Sequence, residues 1–155
     1  MNFTVTENMV LDTYYAPAYS KGLIMDWDAA AAATKTLVEQ FDVRTPSISI
    51  PASNLSGGNQ QKVIVAREFS RKVKLVIASQ PTRGLDVGSI EYIHGRIVEA
   101  RDAGAAILIV STELDEVMAL SDRLLVMFDG EIVADLDPKQ VTNADVGLYM
   151  AGATP

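Results

Sequence analysis

The sequence contains no cysteine. Disulfide scaffolds, thiol redox chemistry and thiolate-bound zinc are thereby excluded, and the usage suits a reducing compartment. Histidine is almost as scarce. His94 stands alone, so no histidine cluster exists to hold a metal; it falls mid-helix and reads as a half-exposed structural residue. Long apolar runs are missing too: the longest strong one, residues 105–110, is far short of the roughly 20 residues that cross a bilayer. The opening MNFTVTENMV has neither the basic segment nor the apolar stretch of a secretory signal. Positive charge is in deficit, with 13 Lys and Arg against 20 Asp and Glu, a net charge of −7. That balance argues against a nucleic-acid partner held through its phosphates.

What is present suffices for a packed core. The 155 residues are one domain's worth, and 48% of them are hydrophobic, which excludes disorder for most of the chain. The pattern changes near residue 52. Before it the chain reads as helical. Thr4 and Glu7 have the spacing of a capping box, with Phe3 in the staple position, opening a helix that ends before Pro17. A loop over 16–22 follows. Asp26 or Asp28 caps a second helix to about Phe41, with Leu37, Val38 and Phe41 inward. Residues 42–54, with Pro46, Pro51 and several serines, connect.

After residue 52, helix and strand patterns alternate. Helices are expected over 58–71, 86–103, 113–120 and 144–150, the second stopped by Gly104 and the last capped by Thr142 or Asn143. Short apolar runs at 74–78 and 105–110 suit buried strands, and Asp129-Gly130 joins 123–128 to 131–135 as a hairpin. This alternation predicts an α/β sandwich whose main strands are parallel. Ligands of such sheets sit at the carboxyl ends of the strands, after Ala78 and Val110.

One segment stands out chemically: Leu55-Ser56-Gly57-Gly58-Asn59-Gln60-Gln61-Lys62. A hydroxyl and two glycines open a helix whose first N–H groups have no internal partner. Unpaired donors and the positive end of the dipole make a cradle for an anion such as phosphate. Taken alone, Ser-Gly-Gly is more often an everyday serine cap with a glycine-rich entry. Its surroundings change that. A strand pattern leads into Ser79-Gln80-Pro81-Thr82-Arg83-Gly84-Leu85-Asp86-Val87-Gly88, and Ser111-Thr112-Glu113-Leu114-Asp115-Glu116 lies further on.

With these motifs the chain resembles the ATP-binding subunits of ABC transporters over nearly its whole length. The segment from Leu55 to Asp86 is similar to their signature motif, Walker B strand and D-loop, and Ser111-Thr112 falls where they carry the switch histidine. The LSGGNQQK and PTRGLDVG pairing looks like the second ATP-binding half of tandem subunits serving simple-sugar and nucleoside importers. The resemblance implies a partial P-loop NTPase sandwich, with residues 1–52 as a small helical subdomain and 53–155 as the C-terminal part of the nucleotide-binding core.

Two departures qualify the activity that the resemblance implies. No G-x-x-x-x-G-K-S/T occurs, so no phosphate loop is present and ATP hydrolysis by the chain alone is not expected. An N-terminally truncated cassette would leave sheet faces and edges bare, and the isolated chain is expected to be poorly soluble or to associate with itself. Second, Ser79 and Gln80 replace the family's Mg²⁺-ordering Asp and its water-activating Glu, and Thr112 replaces the switch histidine. A serine oxygen is a poorer cation ligand than a carboxylate, and an amide cannot act as general base. Three such changes together imply a degenerate site.

Family geometry pairs two cassettes head to tail. Ser56, Gly57, Gly58 and Asn59 would then face the partner's ATP and Mg²⁺, while Gly84, Leu85 and Asp86 would line the interface. Asp86 serves equally well as a helix cap. Asn59, where many relatives have Gln, is a mild change of amide length. The implied partners are a second nucleotide-binding domain and a transmembrane permease, at the cytoplasmic face of the cell membrane. Trp27, with Tyr14, Tyr15 and Tyr19, suits packing within the helical part before contact with that permease. Arg67 and Glu68 read as an ion pair, and Glu113, Asp115 and Glu116 as dipole partners of a helix start. Two other classes fit the composition: a soluble ABC-type ATPase without a membrane partner, and a regulatory remnant without an ATP role. The acidic charge and the motif pairing disfavour the former.

Overall fold

A computed structural model describes residues 3–71 and 73–153. By packing the chain forms two compact units, one of Met1–Lys74 with Thr82–Ala105, the other of Leu75–Pro81 with Ala106–Pro155. This division by contact is distinct from the division by pattern at residue 52.

The first unit is mainly helical. Helix α1 (Val5–Met9) starts in a complete capping box, Thr4 accepting from Glu7 N while the Glu7 carboxylate accepts from Thr4 N and Oγ1. It is shorter than the spacing predicts. From Val10 onward the chain makes successive i to i+3 turn bonds, Thr13 N to Val10 O and Ala16 N to Thr13 O, in place of a helical ladder. The predicted loop over 16–22 contains β1 (Ser20–Lys21), which pairs antiparallel with β2 (Ile24–Met25). Asp26 then caps α2 (Trp27–Gln40), its carboxylate accepting from Ala29 N. Phe41, Ala30 and Thr34 are the buried residues of this helix and its end, whereas Leu37 and Val38 are half-buried. A single 3₁₀ turn (Ala52–Asn54) leads to α3 (Gly57–Phe69), and Asp86 caps α4 (Val87–Asp102). Gly104, at φ +94°, lets the chain leave α4 through the left-handed region.

Two cations on aromatic faces help tie these helices. Lys62 Nζ of α3 lies 4.5 Å from the Tyr92 ring centre on α4, and the Arg96 guanidinium 4.2 Å from Phe41. The aromatic reading needs a correction: Tyr14, Tyr15 and Trp27 are exposed rather than packed away. Tyr14 and Trp27 rim a cavity of about 260 Å³ with Phe3, Val10, Leu11 and Met25. Arg67 and Glu68 do form an ion pair, at 2.8 Å.

In the second unit β3 (Leu75–Ser79) runs parallel to β4 (Ala106–Val110), with Leu75 opposite Ala106 and Ser79 opposite Val110. Helix α5 (Leu114–Leu120) leads to the hairpin β5 (Leu124–Phe128) and β6 (Glu131–Leu136). Its two turn residues, Asp129 at φ +49° and Gly130 at +83°, have the signs of a type I′ turn. Helix α6 (Asn143–Met150) begins in a second capping box, between Thr142 and Asp145. Val117, Leu124, Val126 and Val146 form the core, with Ile109 of β4 packed against it. The other face of the parallel pair is bare: Leu75 is 57% exposed, Ile77 65%, Leu108 49% and Val110 51%. The sequence predicts such an uncovered face. Among the described residues no helix is long and apolar enough to cross a membrane.

Candidate functional site

The helix start of α3 is held on three sides. Ser56 caps it, its Oγ accepting from Asn59 N at 3.4 Å and from Asn59 Nδ2 at 2.9 Å. The Asn59 carbonyl in turn accepts from Arg44 N at 2.7 Å. Gln60 Nε2 donates back to Leu55 O at 2.8 Å. Asp42, at φ +47°, begins the turn that delivers Arg44. Its carboxylate pairs with Lys62 Nζ at 2.7 Å, and the hydrogen bond from Lys62 holds the Asp42 carboxyl below its usual pKa. Ser56 and Gly57 stay exposed, so the cap and the first turn of α3 are open to solvent.

Gly58 is fixed by lack of room. A Cβ there would lie 2.3 Å from Ser89 Oγ, whereas one on Gly57 would meet only Leu85 Cδ2, at 3.8 Å. The first turns of α3 and α4 therefore touch through Gly58 and Ser89. Ser89 is buried, and Asp86 grips it twice, Oδ1 accepting from its N–H at 3.0 Å and Oδ2 from its hydroxyl at 2.8 Å. These bonds, the hydroxyl's first, hold the Asp86 carboxyl below the usual aspartate range. Of the two roles weighed for Asp86, the cap is present in the structure. Gly84, at φ +73°, turns the chain just before it.

Ser79, Gln80 and Thr112 belong to the second unit, at the carboxyl ends of β3 and β4. Gln80 N donates to Val110 O at 2.7 Å, extending the parallel ladder by one residue. Gln80 has φ +50°, which costs a non-glycine residue about 1 kcal/mol or more. Its side-chain oxygen accepts a long bond from Thr112 Oγ1, 3.4 Å. The trio is neutral: a hydroxyl, an amide and a second hydroxyl. Among the described residues no group of three or more His, Asp or Glu is placed to hold a metal ion. The donor set at 79, 80 and 112 thus offers neutral oxygens and no carboxylate, a weaker set for a divalent cation than one that includes a carboxylate.

Sequence patterns point to Ser56–Asn59, Ser79, Gln80, Thr112 and Asp86. They do not reveal Arg44, Asp42, Lys62 or Ser89, whose roles arise from contacts made only on folding. The sole local hint is Ser89 three residues after Asp86, the reach of a cap.

Two helix starts in contact, one serine-capped and glycine-rich, together with a parallel strand pair ending in polar residues, belong to the α/β fold of ATP-binding cassettes. Solved structures bear this out. The dimeric post-hydrolysis state of the cassette MJ0796 bound to ADP and Pi matches with a TM-score of 0.70 at 20% identity, covering 88% of this chain and 57% of that one. An inward-facing putative metal-chelate type ABC transporter matches with a TM-score of 0.74 at 14% identity, covering 98% and 59%. No family model matches.

Sequence comparison narrows the class. The nucleoside import ATP-binding protein NupA of Lactococcus lactis subsp. cremoris is 49% identical over 152 residues, 98% of this chain and 30% of that protein. The guanosine import ATP-binding protein NupO of Bacillus subtilis is 46% identical over 99% of this chain and 30% of its own length. The glucose import ATP-binding protein TsgD13 of Haloferax volcanii is 39% identical over 97% and 28%. Nearly the whole chain is thus similar to one segment of ABC import ATP-binding proteins, and it spans about 30% of the length of the curated relatives it matches.

Proposed function

We propose that this chain serves as part of an ATP-binding subunit that powers import of a nucleoside or sugar, and that it lends the start of α3 to an ATP held by a partner cassette. The carrying observation is the contrast inside one chain between an open, serine-capped helix start and a neutral trio at the strand ends. A hydroxyl at the positive end of α3 can donate to a terminal phosphate. Gly57 leaves room for close approach, and Gly58 seats the turn against Ser89. Gln80 cannot take a proton from water, and Ser79 offers no carboxylate, so this chain's own half of a paired site would be slow or silent. Gly84, Leu85 and Asp86 would face the partner. The nucleoside reading is favoured over the sugar reading by the 49% and 46% identities to nucleoside and guanosine importers, against 39% for a glucose importer.

In this reading the subunit sits at the cytoplasmic face of a membrane, against a permease. The exposed aromatic rim of Tyr14 and Trp27 suits such a contact. The test is Ser56→Arg in the complete subunit. A guanidinium would fill the place of the terminal phosphate, and steady-state ATP hydrolysis should fall at least about 100-fold, the size of effect reported for losing a transition-state donor. Hydrolysis at the parental rate would refute the trans role.

A further inference from the structure

Resting on the trans role just proposed, we infer that Asn59 is a positioning residue that fixes the Ser56 hydroxyl as an outward hydrogen-bond donor, and not itself a contact to the bound anion. Which end of an asparagine amide is oxygen must be settled by its neighbours. Here the neighbour is a backbone N–H, which can only donate, so the end 2.7 Å from Arg44 N is the carbonyl oxygen. The amide nitrogen then faces Ser56 Oγ at 2.9 Å, and a nitrogen of this type only donates. The backbone N of Asn59 adds a second, longer bond of 3.4 Å to the same oxygen.

A serine hydroxyl has two lone pairs and one proton. With both lone pairs addressed by Asn59, the proton is the function left over. Ser56 is exposed, so that proton is offered to whatever approaches the helix start. Accepting hydrogen bonds also makes a hydroxyl a better donor. An anion needs donors and is repelled by lone pairs, so this polarity is the useful one. The arrangement is anchored from behind. Lys62 of α3 donates to the Asp42 carbonyl at 2.9 Å and pairs with its carboxylate, fixing the turn that presents Arg44 N. The brace thus begins and ends on the same helix. Asn59 has its oxygen and one amide hydrogen committed within the brace, which suits support better than contact.

A double-mutant cycle in the complete subunit, read as steady-state ATP turnover, tests this. Ser56→Ala should lower turnover at least about tenfold, as for a lost hydrogen bond to a charged group. Asn59→Ala, which adds no charge, should lower it roughly three- to tenfold, with the thermal midpoint of the subunit little changed. The double variant should match Ser56→Ala within about twofold, because Asn59 has nothing left to orient. A merely structural role would multiply the two losses. Should Asn59→Ala not fold, Asn59→Leu, closer in volume, is read the same way. Parental turnover in the Asn59 variant, or a double variant slower by the product of the single losses, overturns the inference and leaves the trans role standing. Parental turnover in Ser56→Ala removes the trans role, and the inference with it.

Discussion

The α3 start and the β3–β4 strand ends are both polar, and they are built in opposite ways. At the helix start polar groups are tied in pairs: Ser56 to Asn59, Asn59 to Arg44, Asp42 to Lys62, Asp86 to Ser89. Gly58 fills the remaining space to contact. At the strand ends a single 3.4 Å side-chain bond joins Thr112 to Gln80, and no carboxylate stands among the three residues. If the α3 start meets a ligand held by a partner, as proposed above, a shape held in advance serves it, since preorganisation removes the ordering cost at the moment of contact. On the reading proposed above, the strand ends would be relieved of proton transfer and would need no such scaffold.

The sharpest way to break this contrast, after Ser56→Arg and the Asn59 cycle, is Gly58→Ala. Its methyl would lie 2.3 Å from Ser89 Oγ, with the Asp86 carboxylate 3.3 Å away. Overpacking of this kind costs about 1–3 kcal/mol, and the urea midpoint should drop accordingly. An unchanged midpoint would mean that the two helix starts are not in contact. A smaller effect is expected at the other site. Ser79→Asp with Gln80→Glu should change turnover of the complete subunit less than about threefold, because on the proposed reading Thr112 would still stand in place of the switch histidine. A gain of tenfold or more would show that two carboxylates alone suffice there.

The smallest effect is a pH dependence. Hydrogen bonds lower the Asp86 carboxyl through Ser89, Asp145 through Thr142, and Asp135 through Arg123, all in exposed settings. A carboxyl with a folded pKa below its unfolded value of about 3.9 contributes stability above that value and loses it as pH falls through the folded one. The thermal midpoint should therefore be flat from pH 7 to about 5 and decline below about 4. A decline already complete at pH 5 would point to other groups.

Elements governed by their own residues were legible from sequence. Asp26, Thr142 and Gly104 mark helix ends where the structure has them, and Asp129-Gly130 turns the hairpin as a two-residue I′ loop must. Readings failed where distant contacts decide. The apolar spacing of Met9, Val10 and Tyr14 suggests a longer helix, but the chain there breaks into consecutive turns. The hairpin of Ser20 with Met25 carries no strand pattern, being two residues on each side. The same holds for the site: Ser56 and the glycines announce themselves, while Arg44 reaches Asn59 across 15 positions through a backbone N–H, which has no residue identity to read.

The half-exposed side chains of Leu75, Ile77, Leu108 and Val110 leave one face of the parallel strand pair without the burial its apolar residues could supply in this chain. Full burial of such a side chain is worth roughly 1.5–3 kcal/mol, so leaving it half in water withholds about 1 kcal/mol each. Four of them forgo a sum comparable with much of a small domain's net margin. In the isolated chain the amides of these two strands should exchange with deuterium sooner than those of α3.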